Sequence, residues 1–170
     1  MKRLFLFVFI TYPFLVKAQE KSLPTDTVSI EGHVNTPLKF SLVDLSRYKT
    51  YYIDSLRIYN HLMEPKRGLK KIKGVLLKEV LNKSGFAITS PRLLSEFYIT
   101  CIASDGYKVV FSWNELFNTV VGDSVLIVIE EADINAQQVP ERITLLSAAD
   151  RATGRRYIKG LQKIIIERIK

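Results

Sequence analysis

Two groups of basic side chains are the most evident chemical resource of this sequence: Lys66, Arg67, Lys70, Lys71 and Lys73, and then Arg151, Arg155, Arg156 and Lys159. Guanidinium and ammonium groups that converge in a cleft hold phosphate or sulfate oxyanions through charge-assisted hydrogen bonds. Spread along a loop, the same groups are only solvated. The first group reads as a solvated loop, because Pro65 and Gly68 punctuate it. The second stays open between the two readings. Thr153-Gly154-Arg155-Arg156 is a loop, and Tyr157-Ile158-Lys159-Gly160 lies just before the last strand, so flanking strands could fix the basic side chains. Lys159, Arg156 and Arg155 are therefore the candidate ligand-binding residues, and the ligand they suit is a small anion.

Signatures of other chemistry are missing. No glycine-rich phosphate loop precedes a helix, and no Gly-x-Ser-x-Gly elbow occurs. His33 and His61 have no metal-ligand spacing with each other, with a carboxylate or with the single cysteine, Cys101. Glu130 and Glu131 pair at a strand end, where solvated charge is the ordinary explanation. Cys101 sits in the aromatic and β-branched run Phe97-Tyr98-Ile99-Thr100-Cys101-Ile102, so it reads as a small core side chain; a reactive or metal-binding thiol is the alternative. Nucleic acid is a poor partner, since acids intersperse the bases and no stacking motif is present.

The elements that must position these residues follow from periodicity and turn chemistry. Val28, Ile30 and Val34 at even spacing mark a first strand, and Leu38, Phe40 and Leu42 a second. Ser41-Leu42-Val43-Asp44 caps a short helical turn. Strands are expected over 51–59 and 69–75, and a helix where Leu76, Leu77, Val80 and Leu81 recur before the stop at Gly85. Ser104-Asp105-Gly106 is a tight turn joining strands at 97–103 and 107–111, and Ser112-Trp113-Asn114-Glu115 opens a capped helix. Val125–Ile129, Ile143–Leu146 and Lys163–Ile169 complete the strands. The order lacks regular βαβ alternation, which favours an irregular mixed α+β domain over a doubly wound sheet.

The beginning of the chain sets the compartment. Lys2 and Arg3 precede an apolar run from Leu4 to Val16, and Val16-Lys17-Ala18 offers a signal-peptidase site. Residues 1–18 are thus expected to be a signal peptide, 19–27 a flexible leader and 28–169 the domain. The protein is expected to be exported, periplasmic or secreted. No cysteine follows the cleavage point and no later segment is long and apolar enough to span a bilayer, so no membrane anchor is expected. Losing the three basic residues of the signal lowers the formal net charge from +8 to +5.

Several segments, in this order, resemble the molybdopterin-binding oxidoreductase domain of the sulfite-oxidase-like family. They are Ile30-Glu31-Gly32-His33-Val34 through Pro37, with Leu42-Val43-Asp44-Leu45; Ile72-Lys73-Gly74-Val75-Leu76-Leu77 running into Val80-Leu81, with Gly85 after it; Ser104-Asp105-Gly106-Tyr107 with Val110-Phe111 and Glu115-Leu116; and Arg156 through Ile164. The resemblance spans 28–168. It implies a mixed α/β fold built round a sheet and barrel-like strands, a cysteine thiolate on molybdenum, and basic residues on the pterin phosphate. Lys159 matches a pterin-contacting lysine of the family. The position of the ligating cysteine falls between Tyr59 and Gly74, where this sequence has none, and Cys101 lies on a different strand. Family enzymes are also larger.

The expected function is accordingly that of a ligand-binding or accessory protein without redox catalysis, molybdopterin being implied by resemblance alone. The alternatives are a molybdopterin-dependent oxidoreductase with unusual ligation and a partner-binding domain with no small ligand. Cleavage after Ala18 predicts that exported protein begins at Gln19. N-terminal sequencing checks this, and an intact Leu4–Val16 run would contradict it.

Overall fold

The computed structural model describes residues 23–132, 134–140 and 142–169; the expected signal peptide and residues 19–22 of the leader lie outside them. The described chain is mixed α+β, mostly sheet with a few short helices. The first sheet has the spatial order β2-β1-β11-β5-β6, built from β1 (Thr27–Gly32), β2 (Leu38–Ser41), β5 (Phe97–Ala103), β6 (Lys108–Ser112) and β11 (Leu161–Arg168). The second runs β10-β9-β7-β4-β3, from β3 (Tyr51–Leu56), β4 (Leu69–Leu76), β7 (Val125–Glu131), β9 (Thr144–Ser147) and β10 (Ile158–Lys159). A further short strand, β8 (Ile134–Asn135), pairs with β7. Among the described residues neither sheet closes, which corrects the barrel-like arrangement: β2, β6, β3 and β10 remain edges.

The main core lies between the sheets. It takes Val28, Ile30, Ile99, Cys101, Phe111 and Ile164 from the first and Val75, Val125, Ile127 and Leu145 from the second. The alternation of β5 fits this: Phe97, Ile99, Cys101 and Ala103 are buried and their neighbours half-buried. The continuous apolar run of β7 has a different cause. Leu126 and Val128 point away from the main core into a second cluster with Ile58, Leu69, Ile72, Leu76 and Leu146, so both faces of the strand are buried.

Local signals place the helices. Capping boxes hold α1 (Leu42–Leu45) through Ser41 and Asp44, and α3 (Trp113–Phe117) through Ser112 and Glu115. Helix α2 (Leu77–Ser84) buries Leu77, Val80 and Leu81 and ends at Gly85, whose N–H donates to the Leu81 carbonyl at φ 65. β5 and β6 pair antiparallel across Ser104-Asp105-Gly106, with Gly106 at φ 81. Trp113 and Phe117 stack on each other against the core.

Three features go beyond the sequence reading. β3 stops at Leu56, which releases a long loop, 57–68, from the sheet. The described part of the leader is held: the Ser104 hydroxyl bonds both the N–H and the carbonyl of Leu23, and Thr25 bridges to Arg142. The ends of the domain are joined directly, because β1 and β11 pair in parallel with Gly32 opposite Ile166.

Gly32 is required at that junction. Its φ is 101, and a Cβ there would lie 2.2 Å from the Ile166 carbonyl oxygen. Gly106 has a similar φ but nothing within 4 Å of its would-be Cβ. Gly32→Ala should therefore cost about 3 kcal/mol or more, from backbone strain plus a clash, and Gly106→Ala only about 1 kcal/mol from strain. Urea unfolding measures both; equal losses would contradict the close approach at Gly32.

Candidate functional site

Loop 57–68 does not hang free. It is fastened to the segment that follows β9, and the fastening builds a recess. The Thr153 side chain, 4% exposed, donates from its hydroxyl to the Arg57 carbonyl at 2.9 Å and accepts from the Tyr59 N–H at 2.9 Å. Gly154 then donates its N–H to the Tyr59 carbonyl at 2.8 Å. A Cβ on Gly154 would stand 2.8 Å from that same oxygen, so only glycine permits the crossing. Farther along, Lys66 N–H bonds the Ile58 carbonyl and returns the loop to its root. The loop tip is tied by Asn60, whose side-chain oxygen accepts from the Leu62 and Glu64 amides.

Two more contacts fix the segment 150–157. Tyr107, the residue after the Asp-Gly turn, donates its hydroxyl to the Arg155 carbonyl at 2.5 Å. Arg156 donates Nε and Nη2 to the two oxygens of Asp150, at 2.6 and 2.5 Å, and Nη1 to Glu115 Oε1 at 2.9 Å. Its guanidinium also lies 4.4 Å from the Phe111 ring centroid. The bonds to Asp150 hold the guanidinium above its ordinary range. Burial would raise the Glu115 carboxyl, but the Ser112 N–H and the Arg156 guanidinium outweigh it and leave the group below its usual value.

Around the crossing lie two adjoining clefts of about 530 Å³ each, sharing Ile58, Lys66 and Tyr157. The first is polar and basic, lined also by Asn60, His61, Tyr107 and Arg155. The second is more apolar: Leu69, Ile134, Val139 and Pro140 line it, with Arg67, Glu131 and Lys159 also contributing. Both volumes fall in the ordinary range of small-ligand sites.

The three expected site residues are thus divided. Lys159, on β10 and exposed, lines the second cleft, with its ammonium 5.9 Å from the Tyr157 ring centroid. Arg155 lines the first. Arg156 lines neither; Asp150 and Glu115 take three of its five N–H donors, and it positions the segment. Lys66 and Arg67, from the group read as a solvated loop, join the clefts although they also pair with Glu64 and Glu131. His61, weighed in the sequence only as a metal ligand, and Tyr107 and Tyr157, named there only within motifs, also line the first cleft. The Asp-Gly-Tyr hairpin was the available signal for Tyr107.

Cys101 is far from this arrangement in kind. It is fully buried in β5, and desolvation pushes its thiol up to about 12. Among the described residues no three His, Cys, Asp or Glu side chains cluster as a metal site, and no helix is long and apolar enough to cross a membrane.

No family model and no curated protein matches this chain. Among solved structures, the sulfane dehydrogenase SoxCD from Paracoccus pantotrophus has a similar fold, with a TM-score of 0.62 at 14% identity. The match covers 82% of this chain and 37% of that one, so this chain corresponds to little more than a third of that chain's length. At this identity the relation is a distant one of fold.

The Glu115–Arg156 contact has a pH signature. Because the folded carboxyl titrates below its ordinary value of 4.5, its contribution is complete above that pH and is lost as pH falls through the lowered value. Glu115→Gln should be less stable than the parent at neutral pH, and the gap should close in acid. Urea midpoints at pH 7, 5 and about 3 check this; a gap unchanged at the lowest pH would contradict it.

Proposed function

We propose that this is an exported ligand-binding or accessory protein in which a fold like that of the molybdopterin-binding oxidoreductase domain holds a small anionic ligand without redox catalysis. The observation that carries the reading is the pair of clefts joined at Ile58, Lys66 and Tyr157, with Arg155 in one and Lys159 in the other. Of these residues Tyr157 and Lys159 belong to the segment 156–164 whose sequence resembles that family, where Lys159 matches a pterin-contacting lysine. Export rests on the pattern of residues 2–18.

The side chains present do not fit a molybdenum held by thiolate. Loop 57–68, which spans most of the interval between Tyr59 and Gly74 and lines both clefts, has no cysteine, and the one thiol of the chain is protonated within the core. What the clefts do supply is positive charge beside an apolar, aromatic wall. A second reading, a molybdopterin-dependent oxidoreductase with unusual ligation, draws support from the shared fold with a protein described as a dehydrogenase.

Two measurements separate them. Protein purified from a host that makes the molybdenum cofactor should carry far less than one molybdenum per chain; stoichiometric metal, lost on Cys101→Ser, would overturn the proposal. With pyrophosphate as the probe, Lys159→Ala should weaken calorimetric binding roughly ten-fold, the size of one charge-assisted contact, while leaving the unfolding midpoint in place. Unchanged affinity would remove Lys159 from the site.

A further inference from the structure

A third cleft, of about 400 Å³, opens where β2, the end of α1 and the last turn of α2 meet. Lys39 reaches it from β2, Arg47 from the turn after α1, and Lys83 from α2. Leu38, Phe40 and Tyr48 supply an apolar wall. It shares no lining residue with the two clefts at the Thr153 crossing.

The charge here is only partly balanced by the fold. Over much of the described surface a lysine or arginine meets a carboxylate: Lys73 with Glu130, Lys78 with Asp123, Lys163 with Glu31 and Arg168 with Glu96. Lys39 and Lys83 have no such partner among the described residues. The one acid lining the cleft, Asp44, is engaged by the Ser41 N–H and hydroxyl at 2.9 and 2.8 Å and pairs with Arg47 at 3.9 Å. The half-buried Tyr48 hydroxyl also has no hydrogen-bond partner among the described residues. Two lysines from separate elements without ion pairs among the described residues, an arginine shared with Asp44, a phenol able to donate, and an apolar wall together form the complement of an anion with a hydrophobic body.

We propose that this cleft is a second ligand site, for a small organic oxyanion: a carboxylate or phosphate ester attached to an apolar ring or chain. Lys39 and Lys83 take the oxygens, with Arg47 at the rim and the Tyr48 hydroxyl as a neutral donor. Leu38, Phe40 and the Tyr48 ring pack against the body. The proposal does not depend on the clefts at the crossing.

Phenyl phosphate and benzoate are suitable probes, titrated into the isotope-labelled full chain and followed at the backbone amides. Saturable shifts of amides in 38–48 and 80–85 are expected for one or both, whatever happens at 58–66 and 153–159. The Lys39→Ala/Lys83→Ala variant should lose ten-fold or more in affinity at these reporters, and Lys39→Arg/Lys83→Arg should retain it. Both lysines are exposed, so the variants should melt with the parent. Inorganic phosphate, which gains nothing from the apolar wall, should bind more weakly by roughly ten-fold. Absence of saturable shifts with either probe, or shifts that the double alanine variant keeps, would overturn the proposal.

Discussion

The hydroxyl of Thr153 lies between two stretches of chain more than ninety positions apart in sequence, accepting from the Tyr59 amide and donating to the Arg57 carbonyl. Beside it, Gly154 lets the backbones come close enough for a direct N–H to carbonyl bond. Loop 57–68 has left its sheet and would otherwise be a long mobile excursion. Tied at this crossing, it becomes one wall of two clefts, and the segment carrying Arg155 and Lys159 becomes the other. A buried hydroxyl with both its donor and acceptor roles filled is well suited to such a joint, because breaking it strands polar groups away from water.

Neighbouring residues on that segment have opposite fates for electrostatic reasons. Arg156 turns inward and is desolvated against Phe111, which is tolerable only because Asp150 and Glu115 meet three of its donors. Arg155 turns outward to the first cleft while its carbonyl is held by Tyr107. One arginine is thus the anchor that keeps its neighbour's place. The sequence shows two adjacent arginines and nothing that distinguishes them, since one of the deciding carboxylates, Glu115, is 41 positions away.

That contrast explains what was legible in the residues. Features fixed within a few positions were readable: the Ser41–Asp44 and Ser112–Glu115 capping boxes, the amphipathic α2 with its Gly85 stop, and the Asp105-Gly106 hairpin. Features that depend on distant partners were not. The parallel pairing of β1 with β11, the release of the chain after Leu56 and the Thr153 crossing all join segments far apart in sequence. Lys159 and Arg155 were identified through position before the last strand, whereas Lys66 and Arg67 were passed over because a basic loop looks the same solvated or folded over a cleft. The fold itself is shared with a much larger dehydrogenase chain, yet a fold does not bring its chemistry with it.

The central claim is that the clefts at the crossing are pre-formed, held by the fold before any ligand arrives. Amide hydrogen exchange of the ligand-free protein tests it most directly, at the N–H groups of Tyr59, Lys66 and Gly154. The account expects these three to exchange as slowly as the paired amides of β4 and β7, because opening them requires the domain to unfold. Exchange at the rate of exposed loop amides would contradict it, since the walls would then separate and close independently of the core.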